Sequence, residues 1–427
     1  MPDDSPSPAA SADASESARR VVSRVVTSSR KDASKPARAA RRSIDGMRIA
    51  LFSGNYNIIV DGANKALNRL VEYLQRNGAQ VRVYSATSDR PAFKPQGTLV
   101  SLPSIAFPTR AEYRIPIALS HRARSDLAGF QPDVVHISAP DFAARAAVRW
   151  ARARNIPVLA SVHTRFETYA SYYGMGFLEG PLEAWLRRLY LQCDALVAPS
   201  PGMVEVLREQ KMNDDISLWE RGVDRDVFNS GRRDTAWRRS LGIADSDVAI
   251  GFLGRLVMEK GLDAFSATMA ELRRRGVPHK VLVVGDGPAR ERFEERLPQA
   301  MFTGFQQGSE LGRAVASMDV LFNPSTTETF GNVTLEAMAC GVPVVAARAT
   351  GSSCLVADGG YGRLVPPDDI AAFADALAAY IEDPQLRAAH GRAGEERSRA
   401  YTWDTINRAV ADTYLRLIEA HRSRVSA

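Results

Sequence analysis

The chain has 427 residues, enough for two domains that each bury a full core. Apolar residues make up 45% and charged residues 24%, which excludes a fibrous or low-complexity protein, and no apolar run approaches the roughly 18 residues of a membrane span. A net charge of +6 hints at an anionic partner, while Cys193, Cys340 and Cys354 share no metal-ligand spacing and no even disulfide framework, pointing to a reducing compartment.

Much of the positive charge lies in residues 1–46. Between Arg19 and Arg42 nine Lys/Arg face one acid, Asp32, in a segment rich in Ser, Ala and Pro with few large apolar residues. Such a segment is expected to be disordered. It reads either as a solvated extension or as a polybasic arm for anionic lipid or nucleic acid. It has no apolar core of a secretory signal, and Asp3, Asp4, Asp13 and Glu16 argue against a transit peptide.

From Met47 the pattern becomes regular. "MRIALFSG" reads as a buried strand, "DGANKALNRLVEYLQRNG" as an amphipathic helix closed at Asn77-Gly78, and "AQVRVYSA" as the next strand. "PDVVHIS", the helix "FAARAAVRWARARN", "IPVLASVH", "CDALVAPS" and "MNDDISLWERGVD" complete a first α/β unit over 47–224. A polar linker is expected over 225–247. A second unit over 248–400 opens with "VAIGFLGRL" and continues through "HKVLVVGDGP", "AMFTGF", "MDVLFNPS" and "VPVVAA", with helices between. The stretch 401–427 reads as a terminal helix. Alternating strands and helices imply parallel sheets covered on both faces, and two such units leave a cleft at the carboxyl ends of their strands.

The chemistry falls on the loops after those strands. In "FLGRLVMEKG", Arg255 and Lys260 are placed to grip a diphosphate, one by its guanidinium fork and one as a point charge. The Gly285-Asp286-Gly287-Pro288 turn lets backbone approach a ligand or is only a turn. In "TTETFGNVTLEAMACGVPVV" a helix starts behind Phe330 and Gly331, so the amides of Gly331, Asn332 and Val333 favour a phosphate. Glu336, a turn further in, suits a ribose diol; Glu328, before the helix, suits the hydroxyls of whatever the phosphate carries. The plain alternative is two acids stabilising a helix dipole. Two Asp-x-Asp pairs, Asp224/Asp226 and Asp245/Asp247, match a metal-binding spacing but lie in the polar linker. They read as solvated acids, and no metal or other cofactor is expected.

"GRLVMEKG", "VVGDGP", "PSTTETFGNVTLEAMACGVPVV" and "RGVD", in that order, resemble the retaining glycosyltransferases of family 4, over residues 47 to 420. The resemblance implies a GT-B fold, two doubly wound Rossmann-like domains facing across a cleft, with a nucleotide-sugar donor held mainly by the second domain. It implies that Arg255 and Lys260 hold the diphosphate, Glu328 the sugar and Glu336 the ribose, and that Gly54 admits the diphosphate to the backbone. His163 matches the family's histidine at a strand end near the reactive carbon. Retention there is explained by front-face attack, with the leaving diphosphate taking the acceptor's proton. This chain departs from the family's paired glycines by placing Gly54 and Gly62 far apart.

"WERGVD" and "HTRFETYASYY" look like the branch with sulfolipid synthases and bacterial lipid α-mannosyltransferases. That suggests a lipid acceptor at the cytoplasmic face of an anionic membrane, and no nucleic acid. Asp61, Arg165, Tyr169, Tyr172, Tyr173, Arg187 and Arg188 are the acceptor or membrane candidates; the bland reading is that the aromatics are core and the arginines solvated. Arg221 is expected near the transferred sugar, pairing with its acid group, or else in a salt bridge to Glu220. The donor expected first is UDP-glucose or UDP-glucuronate, then GDP-mannose. A nucleotide-sugar epimerase and a non-catalytic anion-binding protein are the rivals; the first lacks an evident acid/base pair and the second leaves both glutamates without a purpose.

Overall fold

The computed structural model describes residues 43–59, 61–107, 110–165, 176–356 and 359–426. Most of the basic extension, and with it Phe166, Tyr169, Tyr172 and Tyr173, lies outside the described residues.

The first half contributes β1 (Arg48–Ser53), β2 (Gln80–Ser85), β3 (Thr98–Ser101), β4 (Ser104–Phe107), β5 (Arg110–Pro116), β6 (Val134–Ile137), β7 (Val158–Ser161), β8 (Ala195–Ala198) and β9 (Ile216–Leu218). Seven of these form one sheet in the order β3-β2-β1-β6-β7-β8-β9, every pairing parallel. β4 and β5 make a separate antiparallel hairpin, tied to the loop after β1 by mutual bonds between Asn55 and the Arg114 main chain. The second half contributes β10 (Ala249–Leu253), β11 (Lys280–Val284), β12 (Met301–Phe302), β13 (Val320–Asn323), β14 (Val344–Ala347) and β15 (Gly362–Val365), in the order β12-β11-β10-β13-β14-β15. Chain order reverses between β1 and β6 in one sheet and between β10 and β13 in the other. Outside the carboxyl ends at such a reversal, neighbouring connections leave opposite faces and open a crevice.

Strand alternation sorts the N-terminal core into two layers. Ile49, Leu51, Val81 and Val83 pack with the Gly62–Arg76 helix and the terminal helix; Ala50, Phe52, Val135 and Ile137 pack with helices His121–Phe130, Phe142–Arg152 and Glu179–Tyr190. The terminal helix, Trp403–Ser426, follows the second sheet in sequence but packs against the first. Arg416 pairs with Asp215, His421 with Asp194, and Tyr414 with His136.

The stretch 225–247 is no bare linker. It carries the helix Thr235–Ser240, whose Arg238 is 1% exposed and donates to Asp319 (2.9 Å) and to the carbonyls of Ser317 and Asp247. A buried guanidinium needs that full set of acceptors. The nearby acids are likewise engaged: Asp224, just ahead of the stretch, accepts from Arg69 at 2.7 Å, and Asp245 within it pairs with Arg239.

Candidate active site

The loops after β10 and β13 are stitched together. Ser325 and Thr327 hydroxyls both donate to the Glu259 carbonyl, and the Glu328 carbonyl accepts from Gly351 N at 2.8 Å. This explains the Thr-rich sequence: short hydroxyls bind a neighbouring backbone and leave the longer carboxylate to point away. Glu328 Oε1 then lies 2.6 Å from Lys260 Nζ, with side chains 12% and 32% exposed. The two residues expected on sugar and diphosphate therefore pair with each other. Arg255 is exposed on the same loop, close enough for its charge to act on Asp61 of the other half.

The helix Asn332–Ala339 starts at Gly331, in the left-handed region at φ 97°, with no side-chain cap. Its first amides are thus left for an anion. Glu336 is partly buried one turn in, its carbonyl accepting from Cys340 N at 3.2 Å within the helix. Desolvation pushes its carboxyl up to about 7, Lys65 opposing and Glu328 adding to the rise. Val333 is partly buried against the core, and Phe330 is 3% exposed, edge-on to Tyr401 at 6.0 Å. The Phe330 ring packs in the core.

The glycines divide by role. A Cβ on Gly62, the first residue of its helix, would stand 2.2 Å from Asn332 Nδ2, so Gly62 is where the N-terminal half packs closely on the Asn332 helix start. At Gly285 (φ 140°) a Cβ would stand 1.9 Å from the Gly254 carbonyl, so strand-end packing already requires glycine there. Gly54 lies at the β1/β6 reversal beside Asp141 and meets no such crowding.

His163 follows β7. Its Nε2 is 2.9 Å from Ser161 Oγ, its Nδ1 2.8 Å from Arg221 Nη2, and its carbonyl accepts from Thr329 Oγ1 at 2.9 Å. Since Ser200 Oγ donates to the Thr329 carbonyl at 2.7 Å, the residue after Glu328 is bound from both sides by the N-terminal half. Desolvation, and then the Arg221 charge, hold the imidazole well below its usual range. Arg221 is 4% exposed and lies over the Trp219 ring; it meets the Glu220 main-chain carbonyl, where a salt bridge to the side chain was the alternative, and is not presented to the cleft as a reader of sugar acids.

On the acceptor side Asp61 caps its helix, Oδ1 accepting from Asn64 N at 2.7 Å and Oδ2 from Asn64 Nδ2 at 3.1 Å. Its carboxylate thus satisfies the amides at the start of its helix. Arg187 is committed internally to Glu183 and the Gln210 carbonyl, Arg188 is exposed, Tyr190 is core, and Arg165 is partly buried. Residues not foreseen are Lys65, Asp141, Ser161, Ser200, Trp219 and Thr329. Lys65 had a signal, four residues after Asp61 on one helix face; Asp141, pushed up to about 7 by burial, had only its place after a strand.

A family model described as "Glycosyltransferase Family 4" matches residues 60–227, and one described as "Glycosyl transferases group 1" matches 247–383. A GDP-mannose-dependent alpha-mannosyltransferase of Corynebacterium glutamicum is 30% identical over 87% of this chain and 89% of its own length. The chain belongs to the family 4 glycosyltransferases. This glycosyltransferase is also 30% identical to the sulfoquinovosyl transferase of Arabidopsis thaliana, over 83% of the chain and 71% of the relative. Its fold matches sucrose-phosphate synthase from Thermosynechococcus elongatus with a TM-score of 0.74 and 22% identity, over 88% of this chain and 100% of that one. The architecture is GT-B, and the enzyme is a hexosyltransferase working on nucleotide sugars.

Proposed function

We propose that this glycosyltransferase moves a hexose, with retention, from a nucleoside diphosphate to a hydroxyl of a membrane lipid. The observation that carries the reading is the Lys260–Glu328 pair, held between the uncapped Asn332 helix start and His163. An arriving diphosphate, doubly negative, competes for the ammonium and releases Glu328 to accept from sugar hydroxyls. Arg255, Lys260 and the helix start supply the charge that a metal would bring, so the reaction runs without one. The His163 Nδ1 lone pair is taken by Arg221 and the released Glu328 carboxylate is engaged by sugar hydroxyls, so positioning and electrostatics act on a front-face transfer.

The donor proposed is GDP-mannose, by likeness to the mannosyltransferase relative and because a buried Arg221 removes the argument for a hexuronate. An acidic hexose on UDP is the second reading, favoured by the equal identity to the sulfoquinovosyl transferase. For the acceptor side the support is asymmetry of surface. Phe142, Phe177 (77% exposed), Leu178 and Leu191 project from the helices on one face of the first sheet, among exposed Arg124, Arg145, Arg149 and Arg188. Apolar side chains among cations suit an anionic bilayer. No described helix is long and apolar enough to cross a membrane.

The test is a panel of GDP-mannose, UDP-glucose, UDP-glucuronate and UDP-sulfoquinovose incubated with polar lipid extract and read by mass spectrometry. Hexosylated lipid formed from GDP-mannose supports the reading. Transfer only to water-soluble acceptors, or donor turnover without an acceptor, refutes it. Sedimentation with anionic but not neutral vesicles, weakening with salt, would support the membrane face; equal binding to both would remove it.

A further inference from the structure

Both ring nitrogens of His163 are in use, and their partners decide where its proton sits. A guanidinium only donates. Nδ1, 2.8 Å from Arg221 Nη2, must therefore accept, which leaves the proton on Nε2, donated to Ser161 Oγ at 2.9 Å. The ring's tautomer is dictated by the guanidinium rather than by solvent.

Arg221 is itself immobilised. Nη1 donates to the carbonyls of Trp219 (2.6 Å) and Glu220 (3.0 Å), and its guanidinium carbon lies 4.9 Å from the centre of the Trp219 ring. Trp219, 1% exposed, turns an edge to His163 at 5.3 Å and donates through Nε1 to Asn407 Oδ1 at 3.3 Å. Asn407, on the terminal helix, donates in turn to the Arg69 carbonyl at 3.1 Å. The next residues form the crossing between the halves: Val223 N donates to the Tyr401 carbonyl, and a Cβ on Gly222 would lie 2.7 Å from Trp403.

We propose that Arg221 is a positioning residue for His163, holding the imidazole as its neutral Nε2–H tautomer with Trp219 and the terminal helix as backing. Nε2–H is then the one polar group this ring offers the cleft, exchanging Ser161 for a hydroxyl of the bound sugar. It donates a hydrogen bond and gives up no proton. The titratable and charged groups around the ring agree with this. Arg221 faces it from the crossing segment. His136 faces it from β6, pushed down to about 3 by burial and bonded through Nδ1 to Tyr414 at 2.6 Å. On the C-terminal side Thr329 holds the His163 carbonyl, and its neighbour Glu328 is neutralised by Lys260. The inference rests on His163 contacting the donor sugar.

The test uses the full chain labelled with ¹⁵N-histidine, followed by NMR from pH 5.5 to 8.5, the His163 signals being assigned by their loss in His163→Asn. Wild type is expected to show protonated Nε2, bare Nδ1 and no titration. Arg221→Met should mix the tautomers or let the ring titrate. It should also lower kcat roughly 10- to 100-fold with donor KM within about 3-fold, and add an acid limb that wild type lacks. Arg221→Lys, keeping a donor and the charge, should restore the tautomer and part of the rate. A wild-type spectrum with Nδ1 protonated overturns the inference without any variant. So does an unchanged His163 spectrum in Arg221→Met. Full activity in His163→Asn overturns the reading of the site instead, and the positioning role with it.

Discussion

Two cations border the cleft, and their surroundings give them opposite roles. Lys260 is about one-third exposed and pairs with the Glu328 carboxylate; Arg221 is almost wholly buried and held by two main-chain carbonyls and an imidazole. A partly solvated ammonium exchanges a carboxylate at small cost, because water screens both states. A desolvated guanidinium leaves its acceptors only at the cost of an unpaired buried charge. The first cation is therefore suited to a ligand that comes and goes, the second to fixing a neighbour. In sequence both are merely basic residues on strand-end loops.

The largest expected effect comes from taking away the partner of the exchangeable cation. Glu328→Ala should lower kcat about 10²-fold or more, since the carboxylate is proposed to bond the moving sugar. Lys260→Ala should raise donor KM as well, and the double variant should fall short of the product of the two because the residues act as a pair. Steady-state kinetics showing two small and strictly additive losses would dissolve the pair.

Glu336 should show a smaller effect with a pH signature. Its carboxyl is raised to about 7, so it is largely protonated at pH 6 and ionised at pH 8. If the carboxylate is the form that accepts from ribose hydroxyls, nucleotide-sugar affinity should rise about tenfold across that window, following the ionised fraction. Glu336→Gln should flatten the dependence. Calorimetric titration showing the opposite slope would mean that the protonated form binds.

Salt should separate the two cations. Raising ionic strength from about 0.05 to 0.5 M shortens the Debye length to a few ångströms. Donor KM should rise several-fold through Arg255 and Lys260, while kcat, which depends on the buried Arg221–His163 contact, should hold. A parallel fall in kcat would place Arg221 among the screened charges.

The smallest expected change is none. EDTA should leave initial rates nearly unaltered if Lys260 and Arg255 are the diphosphate's counter-ions. A collapse reversed by magnesium or manganese would show that an acid pair outside the proposed site does the work.

Periodicity and spacing alone gave two parallel α/β units, the terminal helix and the loops that carry Arg255, Lys260, Glu328 and His163, because buried parallel strands must be apolar and ligand loops must follow their ends. Local sequence also carried the Asn332 helix start, since a glycine ahead of a helix leaves amides uncapped. What it did not carry were contacts between distant segments. Asp61, an acceptor or membrane candidate by sequence, also caps its helix; Phe330 packs on Tyr401, seventy-one positions away. The Lys260–Glu328 pair depends on β10 and β13 lying side by side in the second sheet, the Arg221 hold on His163 on β7 and β9 ending near one edge of the first, and the terminal helix on its return to that first sheet. Each is decided by which elements the folded cores bring together, and nothing within one stretch of chain encodes the face that another stretch will present to it.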